Sequence, residues 1–427
     1  MQRLRKITGD VVIVGAGVAG CSAFYHLARL NRGNAAFKPI LVDALPPLSL
    51  TSANGSFSYR NWFPSDAEAP MRELVTASID ELDDIAKKTN NMIGINRNGY
   101  LFVTREEAKM MQFRDLARKL ERNGGGAFRE HDERSGLRDY HFASEEVDLQ
   151  LDGSDLLVGI DNVRAAFPAL KDSGAIAALH VRRCGSMNPF KLGNYELTKA
   201  TEYTPQAQIV RGKVTDIFAI GGRISGVKVE SEGGDSHHIS TPNVVFATGP
   251  LFEETLAILK KRNLSGYNVN IIQELHMRAV MEDPKKIISR SAPLTFDSDA
   301  VGHFEFTEEE RRQIQDDPTA SRMLEPFPSG TVNMEVGGGY YCKTMDNMPL
   351  IGPAPSTVDG IFLQSAMTGI GLMSSGASGQ LLAAHVMGQT PSNEKIARHM
   401  DSFLPSRFED DAYVKSLANG RSLTGQV

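Results

Sequence analysis

The sequence predicts an α/β fold in which a mainly parallel sheet adjoins a region of antiparallel strands. Residues 11–43 follow the order strand, glycine turn, helix, strand, which is the βαβ unit of a parallel sheet. Residues 243–247 form a second short apolar run typical of a strand buried on both faces. Alternating apolar and polar residues flank Gly221-Gly222 and indicate an antiparallel hairpin.

The composition is that of a globular protein and excludes several classes. The chain has 427 residues, of which 41% are hydrophobic and 23% charged, and this length suggests two or three domains. The formal net charge of −6 makes a nucleic-acid partner unexpected. No stretch reaches the ~18 apolar residues of a membrane span, so we expect no integral membrane segment and a cytoplasmic location. Cys21, Cys184 and Cys342 lie too far apart for a zinc motif, and we expect no metal.

The opening unit carries a dinucleotide-binding fingerprint of the Rossmann type. An apolar strand, 11–14, runs into Gly15-Ala16-Gly17-Val18-Ala19-Gly20, which then opens a helix. The first glycine allows the tight turn, the second lets a pyrophosphate approach the backbone, and the third lets the helix pack closely on the strand. Asp43 ends the next strand, at a distance where a carboxylate accepts hydrogen bonds from ribose hydroxyls. This fingerprint fits either FAD or NAD.

Apolar periodicity predicts the later elements. Helices are expected at 67–92, 106–122, 161–167, 307–316 and 376–388. Strands are expected at 99–104, 213–218, 223–229, 243–247, 331–341 and 361–365, with an antiparallel pair at 269–282 and 287–296.

Three further patches combine glycine with hydroxyl or amide residues. They are 49–55 (SLTSANG), 244–250 (VVFATGP), and 344–353 (TMDNMPLIGP) with the turn at 369–373 (GIGLM). The first patch alone is as typical of an ordinary polar loop as of a cofactor site, and the second alone also fits a strand followed by a turn. The last turn precedes a helix, whose free N–H groups and positive potential suit the anionic edge of a reduced flavin.

Taken in order, these motifs resemble those of the FAD-dependent D-amino-acid oxidase/sarcosine oxidase (DAO) superfamily. The resemblance runs from GAGVAG to GLMSSGASGQLLAAH and covers about residues 10–390. It implies a glutathione-reductase-type fold, in which a discontinuous Rossmann-like FAD-binding domain is interleaved with an antiparallel-sheet substrate domain. The implied boundaries are 1–95, 160–250 and 332–390 for the FAD-binding domain, 96–159 and 251–331 for the substrate domain, and 391–427 for a C-terminal tail.

The resemblance also implies that FAD is the cofactor and that the separated glycine patches converge on it. The residues expected to bind FAD are Gly15, Ala16, Gly17, Val18, Ala19, Gly20, Asp43, Ala44, Thr51, Ser52, Ala53, Asn54, Val214, Ala247, Thr248, Gly249, Gly352, Gly369, Ile370, Gly371, Leu372 and Met373.

The activity implied by the resemblance is oxidation of the C–N bond of a small amine or amino acid. A hydride passes from the carbon next to nitrogen to flavin N5, and the imine product is then hydrolysed. Oxygen or an electron carrier accepts the electrons. Two alternatives stay open: an FAD-binding scaffold or assembly factor without turnover, and an NAD-dependent dehydrogenase that shares only the first fingerprint.

Two departures from the family pattern concern the substrate. Relatives carry an arginine in the strand before T-x-D or a lysine in the final glycine turn, and Tyr341 and Met373 occupy these positions here. A tyrosine does not replace a bidentate guanidinium. The substrate therefore either lacks a simple α-carboxylate or is held by another cation. Arg60 is the leading candidate for that cation and Arg278 the next, although most arginines lie on the surface.

Other side chains near these motifs have more ordinary interpretations. Tyr340, like Tyr341, either lines the substrate face or packs the sheet. Cys342 is expected to be a small buried thiol rather than a covalent link to the flavin. His276 and His303 are expected to be structural. The residues expected at the substrate are thus Arg60, Tyr341 and Met373.

Overall fold

The computed structural model describes residues 6–264, 269–281, 283, 286, 288–299 and 334–418. The strands are β1 (Lys6–Thr8), β2 (Val11–Val14), β3 (Pro39–Asp43), β4 (Ser58–Arg60), β5 (Tyr100–Thr104), β6 (Phe128–His131), β7 (Ser154–Val158), β8 (Ala177–Val181), β9 (Cys184–Ser186), β10 (Gln208–Arg211), β11 (Lys213–Ile220), β12 (Arg223–Glu230), β13 (Ser236–Ser240), β14 (Val244–Phe246), β15 (Ile272–Met281), β16 (Leu294–Asp297), β17 (Met334–Lys343), β18 (Leu350–Pro353) and β19 (Ile361–Ser365). The α-helices are α1 (Val18–Leu30), α2 (Thr51–Asn54), α3 (Ala69–Lys88), α4 (Glu107–Arg122), α5 (Ile160–Ala166), α6 (Pro189–Tyr203), α7 (Phe252–Lys261), α8 (Gly371–Met387), α9 (Glu394–Arg398) and α10 (Asp411–Ala418).

A six-stranded sheet forms the centre of the molecule, in the order β10-β3-β2-β14-β19-β18. All neighbours in it are parallel except β18, which runs antiparallel to β19. Val12 pairs with Ile40 on one side and with Val244 on the other, and all three are completely buried. The continuous apolar runs of these strands are explained by this burial on both faces.

Alternate residues of the central strands enter two different cores. Ile13, Leu41 and Val245 pack against the helical layer of α1, α3, α6 and α8. Their neighbours face the opposite layer, which is a four-stranded sheet, β1-β13-β12-β11, together with α7. The sequence therefore builds three layers, with the predicted hairpin β11–β12 in the outer sheet. This confirms the predicted α/β fold.

A separate five-stranded sheet has the order β16-β5-β8-β7-β6. Helix α4 covers one face and α5 the other, each over its own apolar core. Two antiparallel ribbons accompany these sheets: β4 pairs with β9, and β15 pairs with β17. No helix in the described part of the chain is long and apolar enough to cross a membrane.

The structure differs from the expected strand pairing in one region. The two strands within 269–296 do not pair with each other, since β15 joins β17 and β16 joins β5 in parallel. Within the stretch 160–250, β8 pairs with β5 and β7 in the five-stranded sheet. In the segment expected as a C-terminal tail, Ile396 and Phe403 are fully buried in the helical core. The helix expected at 307–316 lies outside the described residues.

The close packing of α1 on the sheet yields a stability prediction. A Cβ added at Gly20 would lie 1.8 Å from the Gly15 carbonyl oxygen, which a rigid backbone cannot accommodate. We expect Gly20→Ala to lower the free energy of unfolding by about 1–3 kcal/mol, even though alanine is the better helix former. The measurement is denaturant unfolding of the cofactor-free protein. Gly233→Ala is the control, because the nearest atom to its Cβ is 4.0 Å away; equal stability of both variants would contradict this packing.

Candidate active site

A cavity of about 430 Å³ lies at the carboxyl ends of β2, β3, β14 and β19. This is the edge of a parallel sheet where α/β proteins bind ligands. The start of α1 and the start of α8 both reach it, at Val18 and Gly371. Two helix N-termini thus direct free N–H groups and positive potential at one space.

The first glycine turn forms the floor of the cavity. Gly15 has a φ of +103°, and a Cβ there would lie 2.4 Å from the Ala247 carbonyl oxygen, so only glycine fits between β2 and β14. At Gly17 the Cβ would meet only Ser52 Oγ, at 3.1 Å. That hydroxyl accepts a hydrogen bond from the Val18 N–H at 3.1 Å. Gly17 therefore leaves its backbone open toward the cavity, as a phosphate requires.

Asp43 stands on the cavity wall at the end of β3. Its carboxylate accepts hydrogen bonds from the backbone N–H groups of Ala16, at 2.6 Å, and Leu45, at 2.7 Å. These two donors hold the side chain between the glycine turn and the loop after β3. A carboxylate fixed there can accept ribose hydroxyls.

The final glycine turn holds strained backbone beside the cavity. Ala366 and Thr368 have φ values of 52° and 48°, in the left-handed region that residues other than glycine rarely adopt. The Thr368 N–H donates to the Cys342 carbonyl at 3.0 Å, which joins this turn to β17. Strain of this kind costs about 1–3 kcal/mol and concentrates at functional sites.

Aromatic side chains of β17 line another part of the wall. Tyr340, Tyr341 and Cys342 all reach the cavity. The Tyr341 ring stacks on His276 of β15, with centroids 3.7 Å apart and planes inclined by 11°. Burial raises the pKa of Tyr341 and the charge of Arg60 opposes that rise, so the hydroxyl stays protonated and can donate a hydrogen bond. Burial lowers the pKa of His276, so its imidazole is neutral near pH 7.

Two arginines lie close to this wall. Arg60 is 9% exposed on β4, with its guanidinium carbon 5.5 Å from the centroid of Phe63. It does not line the cavity itself, but its charge acts on Tyr341, which does. Arg278 of β15 donates to the Gly55 carbonyl at 2.7 Å and lies 4.9 Å from the Phe57 ring. Arg60 therefore brings positive charge to Tyr341, whereas Arg278 lies beside Gly55 and Phe57, which line another part of the cavity.

The Cys342 thiol is buried, and burial raises its pKa to about 11. At neutral pH it is therefore a poor nucleophile. No group of three or more His, Cys, Asp or Glu side chains among the described residues is arranged to hold a metal ion.

Most residues expected at the cofactor converge on this cavity. Those that line it are Gly15, Gly17, Val18, Ala19, Asp43, Ala44, Thr51, Ser52, Val214, Ala247, Thr248, Gly249, Gly369, Gly371 and Leu372, together with Tyr341 from the expected substrate set. Those that do not line it are Ala16, Gly20, Ala53, Asn54, Gly352, Ile370 and Met373, together with Arg60.

Two of these placements are corrections with clear physical reasons. Met373 is 3% exposed and faces the helical core from α8, because the helix begins at Gly371 and turns that side chain inward. Gly352 lies in β18, where a Cβ would meet Leu404 and His385 rather than a ligand. His303 lies outside the described residues.

The structure also brings residues to the cavity that the motifs did not indicate. Gln364 of β19 lines it and is completely buried, and its Oε1 has no hydrogen-bond partner in the described parts of the chain. Lys213 and Glu254 line it as well and form an ion pair of 2.7 Å between β11 and α7. Neither belongs to a glycine motif, although Lys213 precedes the expected Val214 and Glu254 follows the 244–250 patch by four residues.

Comparison with known proteins matches this architecture. The model of the FAD-dependent oxidoreductase (DAO) family matches residues 10–385. Mitochondrial sarcosine dehydrogenase of Mus musculus is 22% identical over 444 residues, which cover 96% of this chain and 43% of that protein. The chain thus spans less than half the length of this relative.

Solved structures share the fold. L-Proline dehydrogenase from P. horikoshii has a TM-score of 0.64 and 19% identity, covering 95% of this chain and 98% of that one. Glycine oxidase from Bacillus cereus ATCC 14579 has a TM-score of 0.61 and 19% identity, covering 93% and 98%. An NAD-dependent dehydrogenase that shares only the first fingerprint does not account for a match extending to residue 385.

The cofactor named by the family match is FAD, and the residues present fit it. The cavity volume is within the range of cofactor sites. Gly17 offers open backbone for a pyrophosphate, Asp43 a fixed carboxylate for a ribose, and Gly371 a helix start for an anionic ring edge. The buried Gln364 oxygen offers an acceptor that the described residues leave unused.

Gly17 separates cofactor binding from folding. Gly17→Leu should leave the protein folded, since the Cβ meets only Ser52 Oγ, but its side chain would fill the space of the pyrophosphate. We expect FAD binding to weaken by about tenfold or more, equivalent to about 1.4 kcal/mol. Bound flavin per chain, read from its absorbance, checks this. Gly233→Leu, in an open loop, is the control, and a Gly17→Leu protein with full flavin content would contradict this placement of FAD.

Proposed function

The chain belongs to the FAD-dependent oxidoreductase (DAO) family, and from this membership we propose that it oxidises the C–N bond of a small amine or amino-acid-like substrate. The observation that carries the proposal is the Tyr341 wall of the cavity. There a protonated phenol stacks on a neutral imidazole and lies within the influence of the Arg60 charge, and Arg278 lies beside Gly55 and Phe57 of the same cavity. Such a wall recognises a small anion or polar molecule with an apolar surface.

Names of similar proteins support this substrate class. The relatives and neighbours include a sarcosine dehydrogenase, an L-proline dehydrogenase, a glycine oxidase and an iminodiacetate oxidase. All four names denote small amino acids or imino acids. We therefore place this chain's substrate among small secondary or primary amines, with or without a carboxylate.

The chain's own residues hold and orient the substrate. FAD, when bound, would supply the two-electron oxidant for the C–N bond. The Tyr341 hydroxyl donates a hydrogen bond to the substrate, and the stack on His276 holds the tyrosine ring in place. Arg60 and Arg278 supply positive charge for a substrate carboxylate. In relatives this charge comes from the arginine or the lysine that this chain lacks. The apolar remainder of the wall excludes water from the reacting carbon.

Anaerobic reduction of the flavin tests the proposal. The holoprotein is mixed with sarcosine, glycine, L-proline and iminodiacetate, and the long-wavelength flavin absorbance is followed. We expect at least one compound to bleach the flavin, and readmitted air or an added carrier to restore it. A flavin that dithionite reduces but no compound in a broad amine panel does would instead support an FAD-binding scaffold without turnover.

Substitution of the arginines tests how a carboxylate is held. We expect Arg60→Ala to raise KM for a carboxylate substrate by about tenfold at most, because Arg60 does not line the cavity and its charge acts on the carboxylate from a distance. Arg278→Ala should have a smaller effect, since its Nη1 already serves the Gly55 carbonyl.

Two controls make this test specific. Arg60→Lys keeps the charge without the planar fork, and the exposed Arg398→Ala should leave KM unchanged. The corresponding amine without a carboxylate should be turned over equally by all variants. Equal losses for both substrates would show that Arg60 only supports the fold.

A further inference from the structure

A buried ion pair joins the C-terminal segment to the loop that follows β17. Asp346 is fully buried, and its carboxylate accepts hydrogen bonds from Arg407 Nε at 2.6 Å and Nη2 at 3.1 Å. The Tyr413 hydroxyl donates to it at 2.8 Å and Thr344 Oγ1 at 2.6 Å. Donors from both the loop and the C-terminal segment therefore meet on one carboxylate.

Arg407 uses its whole guanidinium in this junction. Besides Asp346, Nη2 donates to the Met348 carbonyl at 2.9 Å. Nη1 donates to the carbonyls of Phe403 at 3.1 Å and Leu404 at 3.0 Å. These bonds engage all five N–H donors of the side chain, which lie in one rigid plane. A lysine, with three donors on a point charge, cannot reproduce them.

The loop held by Arg407 continues into the wall of the FAD cavity. Asn347 and Met348 line a hollow of about 20 Å³ together with Thr368 and Ile370. Thr368 lines the large cavity as well, and its N–H is bonded to the Cys342 carbonyl. The contacts thus run from Arg407 through the loop to the final glycine turn.

We infer that Arg407 is a positioning residue for the cofactor: by holding residues 344–348 it fixes the turn 368–371 that faces FAD. The inference rests on the cavity being the FAD site, as proposed above. Arg407 acts through Asp346 and Met348, since it does not itself line the cavity. The C-terminal segment is then a part of the cofactor site.

Because Arg407 is paired with a carboxylate, the effect of removing it on FAD affinity should depend on pH. Burial would raise the pKa of Asp346, but the hydrogen bonds and charge of Arg407, with the hydroxyls of Thr344 and Tyr413, hold it below its ordinary value. Arg407 and Tyr413 are the titratable groups that contact Asp346 in the described part of the chain. Without Arg407 the carboxylate is buried and unpaired, so its pKa rises. Protonation at low pH then removes the unpaired charge, so the loss of FAD affinity is largest at high pH.

The test measures FAD binding to the apoprotein by quenching of flavin fluorescence, between about pH 5.5 and 8. We expect Arg407→Met to raise the Kd for FAD by about tenfold or more at the alkaline end, and by a smaller factor at the acid end. Arg407→Lys keeps the positive charge but not the planar guanidinium, so its loss of FAD affinity should be smaller and should not depend on pH. Arg398 lies on the same C-terminal segment as Arg407 and pairs with Glu73 of α3. The Arg398→Ala variant should bind FAD like wild type.

Several outcomes decide the inference. If the Arg407 variants unfold at lower temperature yet bind FAD like wild type at every pH, Arg407 is only structural and the inference fails. If Arg407→Met does not fold, Tyr413→Phe decides, since it removes one donor and should raise the Kd by about 2–5-fold. An unchanged Kd there also overturns it. Failure of the wild-type apoprotein to bind FAD would contradict the proposed function instead.

Discussion

The arrangement of the site depends on one close approach of backbone to backbone. Gly15 lies so near Ala247 that a Cβ would be 2.4 Å from its carbonyl oxygen, and a Cβ at Gly20 would lie still closer, 1.8 Å, to the carbonyl oxygen of Gly15. These contacts bring the start of α1 onto β2 and β14. β14 in turn pairs with β19, which leads to the turn before α8. Two helix starts from opposite ends of the chain can face one cofactor only because these glycines carry no side chain.

The parts of the fold that sequence predicts well are those set by neighbouring residues. The βαβ unit, the hairpin around Gly221-Gly222 and helix α3 follow from local periodicity and turn chemistry, and the structure has each of them. Strand pairing between distant segments could not be foreseen, because β8 is buried at every residue and its short sequence fits either sheet. Helix α6, which periodicity does not predict, begins with Asn188 as its N-cap and Pro189 as its first residue. This pair is a local signal for a helix start.

The candidate site divides in the same way. Glycine motifs predict a cofactor site because other residues cannot stand where a ligand or a second strand lies against the main chain. Most of the motif glycines do line the cavity. Side chains that meet a substrate carry no such constraint. The resemblance implies Met373 at the substrate because it occupies the position of the relatives' lysine, but the helix turns its side chain into the core. The stack of His276 on Tyr341 depends on the register between β15 and β17, which no local pattern contains.

The order in which the chain leaves the ribosome has a consequence for the cofactor. β14 is complete by residue 246, but its second partner, β19, begins only at residue 361. Until that stretch has been translated, one edge of the nascent parallel sheet has no strand to pair with, which is a hazard for aggregation. The second helix start, at Gly371, emerges later still. Both helix starts that face the cavity are therefore present only once residue 371 has been translated, and a flavin bound from that moment favours the correct closure of the sheet.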